Sequence, residues 1–233
     1  YKRQDQEEGV NMANAREILS RMKSVQDTRK ITNAMYLISS TKLKKSKKLL
    51  EETEPYFYSL QDLIRRILRH MPDVEHFYFN PRKEIKEEDR VKGLIVITGD
   101  KGLAGAYNHN VLKMAQEWME QSKNHRLYVV GELGRHYFEA RHIQVEEQFH
   151  YTVQNPTMHR ARLISSTILE DYEEGRLDEV WIIYTQMINS MQMEAEMTEL
   201  LPLKREDFSN IVIPADIIQE EIQMVPSPSA VMD

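Results

Sequence analysis

Through the first fifth of the chain, apolar residues recur at helical spacing: Ile18, Met22 and Val25, then Ile31, Met35 and Ile38, then Leu49. Steps of four and three mark one face of a helix, and the longer gaps between the groups break that face into pieces. After Gly9 the segment from Val10 to Glu54 holds no glycine and no proline, and Asn14 with Glu17 has the form of a capping pair. Pro55 is the expected stop. A helix of about 40 residues spans about 60 Å, roughly twice the diameter of a small domain, so it must project. So narrow and broken an apolar stripe cannot hold a lone helix, and a partner helix is expected along a coiled-coil seam of Ile18, Met22, Val25, Ile31, Met35 and Ile38.

Tyr56, Leu60, Leu63, Ile64, Ile67 and Leu68 repeat the helical spacing and predict a second, shorter helix ending before Pro72. Pro72 to Lys92, with its charged run Lys83 to Arg90, reads as an exposed linker. Strand and helix then alternate. Strands are expected at Lys92 to Thr98, Arg126 to Gly131, Ile143 to Phe149 and Glu179 to Thr185, and helices at Asn108 to Ser122, Gly134 to Arg141 and Met158 to Glu174. That order implies a mostly parallel α/β sheet with right-handed crossovers, to which Glu194 to Leu203 returns antiparallel. Pro202, Pro214, Pro226 and Pro228 punctuate an irregular tail.

Charge sharpens the division. The chain of 233 residues carries −6 overall, yet residues 16 to 48 hold ten Lys or Arg against Glu17 and Asp27, which is +8 and leaves −14 for the rest. A basic arm is attached to an acidic body. With no cysteine, disulfides, thiolate nucleophiles and Cys-built metal sites are excluded. The apolar runs Leu94 to Thr98 and Val180 to Tyr184 are far shorter than the roughly 18 residues of a spanning helix.

Candidate chemistry is sparse. The segment TGDKGLAGAYN, Thr98 to Asn108, follows a strand and precedes a helix, where backbone N–H groups could cradle a phosphate. Its glycines, Gly99, Gly102 and Gly105, give GxxGxxG rather than GxGxxG, and Ala106 and Tyr107 stand where a P-loop has Lys and Ser or Thr. Glu132 lies near the place of a ribose-binding acid but farther along than usual. His136, His142 and His150 lack metal-ligand spacing, and Glu146 with Glu147 would point to opposite faces of a strand. The basic arm could neutralise phosphates of a nucleic acid, but an acidic body would repel them, and an acidic protein surface suits it equally. Two alternatives stay open on the residues alone: a nucleotide-binding α/β enzyme and a basic-helix nucleic-acid binder.

Three segments together carry a resemblance. ILSRMKSVQDTRKITNAMYLISSTKLKKSKKLL from Ile18, with Lys30, Ile31, Thr32, Ala34 and Met35 at its core, then TGDKGLAGAYN, then YTQMINSMQMEAEMTELLPL from Tyr184 to Leu203, resemble in this order the gamma subunits of bacterial F-type ATP synthases. Ala104 stands where many members carry Cys. The likeness covers Met12 to Asp233.

The resemblance implies a rotor of the central stalk, with a long N-terminal helix on a Rossmann-like α/β domain. Ion-driven rotation of the membrane ring would be coupled to ATP synthesis or hydrolysis on a ring of alpha and beta subunits, which hold the catalytic sites. The chain itself would be no enzyme and would need no cofactor or metal. It further implies an antiparallel coiled coil with a C-terminal helix that is missing by Asp233, and contacts of the foot with the epsilon subunit and the c-ring. Lys30 and Met35 would meet the beta subunits' acidic lever loops, and the candidate interface is Arg29, Lys30, Met35, Lys42, Lys44 and Lys45. The expected location is peripheral, on the cytoplasmic face of the cell membrane, with no nucleic acid and no membrane span. The expected organisation is a non-native leader over 1–11, since Glu7, Glu8 and Gly9 are what a ribosome-binding GAGGAGGG would encode. A stalk helix over 12–54, a short helix and linker over 55–90, the α/β domain over 91–203 and a tail over 204–233 follow.

Overall fold

The computed structural model describes residues 2–70, 76–189 and 192–209, with side chains over 14–70, 76–189 and 192–208. The turn expected at Pro72 and the tail beyond residue 209 lie outside these. The elements are α1 (Lys2–His70), β1 (Lys92–Ile97), α2 (Tyr107–Gln121), β2 (His125–Val130), α3 (Glu132–Glu139), α4 (Met158–Glu173), β3 (Glu179–Met187), β4 (Met193–Leu201) and α5 (Arg205–Ser209). The chain divides into two compact units, one containing α1 as far as Leu63 and one beginning at Ile64.

In the first unit, α1 is a single unbroken helix of 69 residues counted to His70, about 100 Å of helix. Side chains along it are spent on the helix itself. Arg21 pairs with Glu17 at 2.7 Å and Lys30 with Asp27 at 3.1 Å, while the hydroxyls of Thr28, Thr32, Thr41 and Thr53 donate to carbonyls one turn back. Each exposed ion pair adds only a few tenths of a kcal/mol, so the helix relies on many small terms. Two expectations differ here. Asn14 is interior to the helix, not its cap, and Glu17 is paired with Arg21 rather than turned back to the helix start. Pro55 does not end the helix; it sits inside it, and the expected short second helix is the continuation of α1. Pro55 and Glu51 are both exposed, so water can satisfy the carbonyl of Glu51 that the missing N–H leaves free.

The second unit is built on a four-stranded sheet in the order β2-β1-β3-β4, with β1 parallel to both β2 and β3 and β4 antiparallel to β3. Alternation in β1 sends Leu94 and Val96 to one face and Ile95 to the other. On the first face they meet Leu127, Val129 and Ile183 under Val111, Leu112 and Ala115 of α2 and Phe138 of α3. On the second, Ile95, Tyr128 and Val180 pack under Ile168 and Tyr172 of α4 and Phe149. Helices on both faces make the central strand continuously apolar, as in buried parallel sheets, and each fully buried side chain contributes roughly 1.5–3 kcal/mol.

Residues 143–149 form no strand. One ladder-like bond, Glu146 N–H to Leu127 O at 2.9 Å, ties the segment to β2. The buried Arg135 guanidinium takes the carbonyls of Phe149 and Glu146 that a further ladder would need. Glu146 and Glu147 therefore do not alternate across a sheet. The segment expected as an exposed linker is also anchored where described. Arg82, at φ 45, donates to the carbonyls of Leu177 (2.7 Å) and Tyr172 (2.5 Å) and to Asp178 (3.0 Å), with its guanidinium over the Tyr172 ring. Arg90 pairs with Glu179 at 2.9 Å. Arg82 and Arg90 are clamps on the approach to β3, a role that composition alone does not reveal, while Lys83, Glu84 and Lys86 to Asp89 are exposed as expected.

Candidate functional site

The glycine-rich loop, first of the candidate sites, is filled by its own side chains. Asn108 Oδ1 accepts from the Gly99 N–H at 2.7 Å, and Asp100 Oδ1 accepts from Glu132 N–H, at the start of α3, and from Val153 N–H, both at 3.2 Å. The carboxylate of Asp100 thus ties the loop to the start of α3 and to Val153, and its negative charge opposes an anion beside it. Gly131 and Gly134 press against Thr98 so closely that an added Cβ would lie 2.3 Å from Thr98 O and 2.6 Å from Thr98 Oγ1. The glycines at 131 and 134 serve strand-to-helix packing, while Leu103 at the loop tip, with φ 63, is 95% exposed. This geometry speaks against the nucleotide-binding alternative. Glu132, the ribose-acid candidate, is engaged by His150 Nε2 at 2.7 Å.

His136 lies 3.7 Å from Glu139, and among the described residues no group of three His, Cys, Asp or Glu could hold a metal ion. Glu146 is bound to Arg126 at 2.7 Å, and Glu147 is exposed. Neither has the setting of a general acid or base.

A buried polar cluster escaped the sequence reading. Tyr128 donates to Asp171, which also meets Arg126 at 3.2 Å and Arg176 Nε at 2.5 Å. Burial, then the hydrogen bond to Asp171, pushes the Tyr128 hydroxyl far above its ordinary value. At the base of β3, burial alone would raise Glu179, but bonds from Arg90, Trp181 and Lys92 outweigh it and hold the carboxyl below its ordinary value. Both clusters join elements to one another. Their one sequence signal is an ionisable residue inside or beside an apolar strand run.

The remaining candidate is α1. Turning about 100° per residue, Ile18, Met22 and Val25 share one face, and Ile31, Met35 and Ile38 share another roughly 220° away. The unbroken helix therefore does not bring the six expected seam residues to one side. All are exposed, Ile18 at 58% and Ile31 at 62%. The expected interface residues also encircle the helix: Lys42 stands on the Met35 face, Lys45 about 80° round from it, Arg29 about 120° round and Lys44 on the opposite side. Lys30 shares its charge with Asp27. α1 thus exposes apolar residues on two faces and cations on every side.

Comparison with known proteins shows the family. A family model described as ATP synthase matches residues 14–233. The ATP synthase gamma chain of Acetivibrio thermocellus is 41% identical over 222 residues, 95% of this chain and 71% of that one. The ATP synthase gamma chain of Ruminiclostridium cellulolyticum is 42% identical over 225 residues, 94% of this chain and 75% of its own length. Among solved structures, the central stalk and c-ring of the Tetrahymena thermophila mitochondrial ATP synthase aligns with a TM-score of 0.59. The alignment takes in 86% of this chain and 83% of that one at 19% identity, a likeness of fold.

Proposed function

The chain belongs to the ATP synthase gamma chain family, and from that we propose that it is the central-stalk rotor subunit of an F-type ATP synthase. It couples ion-driven rotation of the membrane ring to ATP synthesis or hydrolysis on a surrounding ring of alpha and beta subunits. The observation that carries this reading is α1, an unbroken helix exposing apolar residues on opposed faces and positive charge all round. Such a helix presents a different surface to each member of an enclosing ring. Turning it changes which catalytic subunit meets the Met35 and Lys42 face, and long-range attraction between its lysines and acidic loops favours close contact at each step.

In this reading the chain is non-catalytic. Its described side chains hold the fold, and the α/β unit serves as the foot, contacting the epsilon subunit and the c-ring. No helix among the described residues is long and apolar enough to cross a membrane. The chain sits peripherally, on the cytoplasmic face, held there by its partners. Affinity purification of the tagged chain from its native cells tests the reading. Alpha, beta, epsilon and c subunits are expected with it in constant ratio; recovery of the chain with none of them overturns the proposal.

A further inference from the structure

The far end of the β3–β4 pair carries two methionines that the core does not bury. The antiparallel register sets Met187 directly opposite Met193, and one step further out the Ile188 N–H donates to Gln192 O at 3.0 Å. Bonded and unbonded pairs alternate along such a ladder, so Met187 and Met193 are an unbonded pair. In that kind the side chains stand closest, with Cβ atoms about 4.5–5.5 Å apart. The frame is held beyond the strands as well, because Asn189 Oδ1 accepts from the Gln192 N–H at 3.0 Å. Both side chains are exposed, Met187 at 38% and Met193 at 54%.

Side chains alternate along each strand, which puts Thr185 and Ala195 beside the pair and sends Gln186 and Glu194 to the other face. There Gln192 Nε2 donates to Glu194 at 2.7 Å. A cavity of about 400 Å³ runs past Met193, lined by Ala104, Tyr107, Thr185 and Ala195, and among the described residues no charged side chain or imidazole borders it. Hard divalent ions take oxygen ligands, whereas thioether sulfur suits Cu(I). With no cysteine, the chain holds no softer donor than methionine. From Val180 to Leu203 it has Glu194, Glu196 and Glu199 and no Lys, Arg or His, so the surrounding field favours a cation. Methionine is unbranched and turns about three bonds, which lets two opposed sulfurs close on one ion while the backbone stays in place.

We propose that Met187 and Met193 form a two-thioether site for a soft monovalent cation with a filled d shell, Cu(I). Binding makes two sulfur-to-copper bonds at the expense of the ion's solvent ligands, and no atom changes oxidation state. The site goes beyond the rotor reading and does not depend on it, so the purified chain of 233 residues is the sample. Methionine methyls labelled with carbon-13 are followed by NMR in chloride-free buffer as silver(I) nitrate, a redox-stable stand-in for Cu(I), is added. Cu(I), as its acetonitrile complex under nitrogen, is added to a second sample. Met187→Leu and Met193→Leu keep side-chain volume and assign the two signals, and the remaining methyl signals report that each variant is folded. In the parent chain the two signals should move together and level off at one ion per chain. The signals of Met22, Met35 and Met158, comparably exposed but on helices, should move only later. Each single variant should lose about tenfold or more in affinity at the methionine that remains, since the second sulfur no longer acts as a tethered ligand. Met197→Leu should change nothing, because four residues along the strand place it about 13 Å from Met193. A Met193 signal that moves equally well in Met187→Leu overturns the proposal. So does a pair that saturates only alongside the other exposed methionines, or one that silver(I) moves and Cu(I) does not.

Discussion

Replacing Pro55 by Ala tests whether α1 runs continuously through the position that the sequence marks as its end. Pro55 is exposed inside the helix, and Ser59 Oγ donates to its carbonyl at 2.8 Å, a bond that the substitution leaves in place. The change restores an N–H aimed at Glu51 O and removes a ring that crowds the preceding turn. Alanine is favoured over proline in a helix interior by about 3 kcal/mol. Loss of proline's stiffness frees the unfolded chain and returns about 0.4–1 kcal/mol of that, leaving a net gain of about 2 kcal/mol. Amide hydrogen exchange over residues 51–60, read by mass spectrometry, should therefore slow by about thirtyfold in Pro55→Ala. Pro55→Gly restores the same N–H but gives up about 1 kcal/mol of helix propensity, so its gain should be about half or less. Unchanged or faster exchange in Pro55→Ala would mean that the helix breaks at Pro55 after all.

Gly131→Ala places a Cβ 2.3 Å from Thr98 O at a φ of +103 and should cost about 3 kcal/mol, lowering the Tm by roughly 6–12 °C, whereas Gly105→Ala, with φ +57 and open space, should cost about 1 kcal/mol. Because the carboxyl of Glu179 is held below its ordinary value of about 4.3, its contribution is present above that value and lost as pH falls through the depressed one. Urea unfolding should find Glu179→Gln less stable at neutral pH, with the gap to the parent closing as acid is added; a gap independent of pH would refute the ion-pair account. Neutralising Lys42, Lys44, Lys45, Lys47 and Lys48 to Gln should weaken retention of the chain in the complex and flatten its salt dependence, since exposed charges about 10 Å apart are already screened at 0.1 M salt. Unchanged retention and salt slope would show that these charges serve only solubility.

Much of the sheet was legible because its strands are apolar runs of the right length bounded by turn residues. Lys92 to Ile97 and Glu179 onward carry that signal plainly; the three parallel strands follow from alternation with helices, and β4 is the expected antiparallel return after β3. Residues 143–149 misled because Val145 and Phe149 alternate like strand residues. What decides there is Arg135, whose side chain claims the segment's carbonyls from eleven and fourteen residues away, and no local pattern reports such a contact. Pro55 misled because a stop signal was read without its surroundings, an exposed face where a lost hydrogen bond can be hydrated. The six expected seam residues fall on two faces of α1, because the six-residue step from Val25 to Ile31 turns the helix by about 240°. The family itself was readable from three segments in order, since Lys30 to Met35 and the glycine-rich turn are distinctive as strings. The clusters at Asp171 and Glu179 were not, since Tyr128 and Asp171 lie 43 residues apart and meet only in the fold.

Rotation of this chain within its complex tests the central claim most directly. Ser166 is exposed on α4, and with no native cysteine Ser166→Cys gives one attachment point for a bead. With the ATP synthase carrying this variant fixed to a surface through its beta subunits, addition of ATP should turn the bead in one direction, in steps that stop when ATP is removed. A bead that stays fixed relative to the beta subunits while the same complexes hydrolyse ATP would contradict the rotor account.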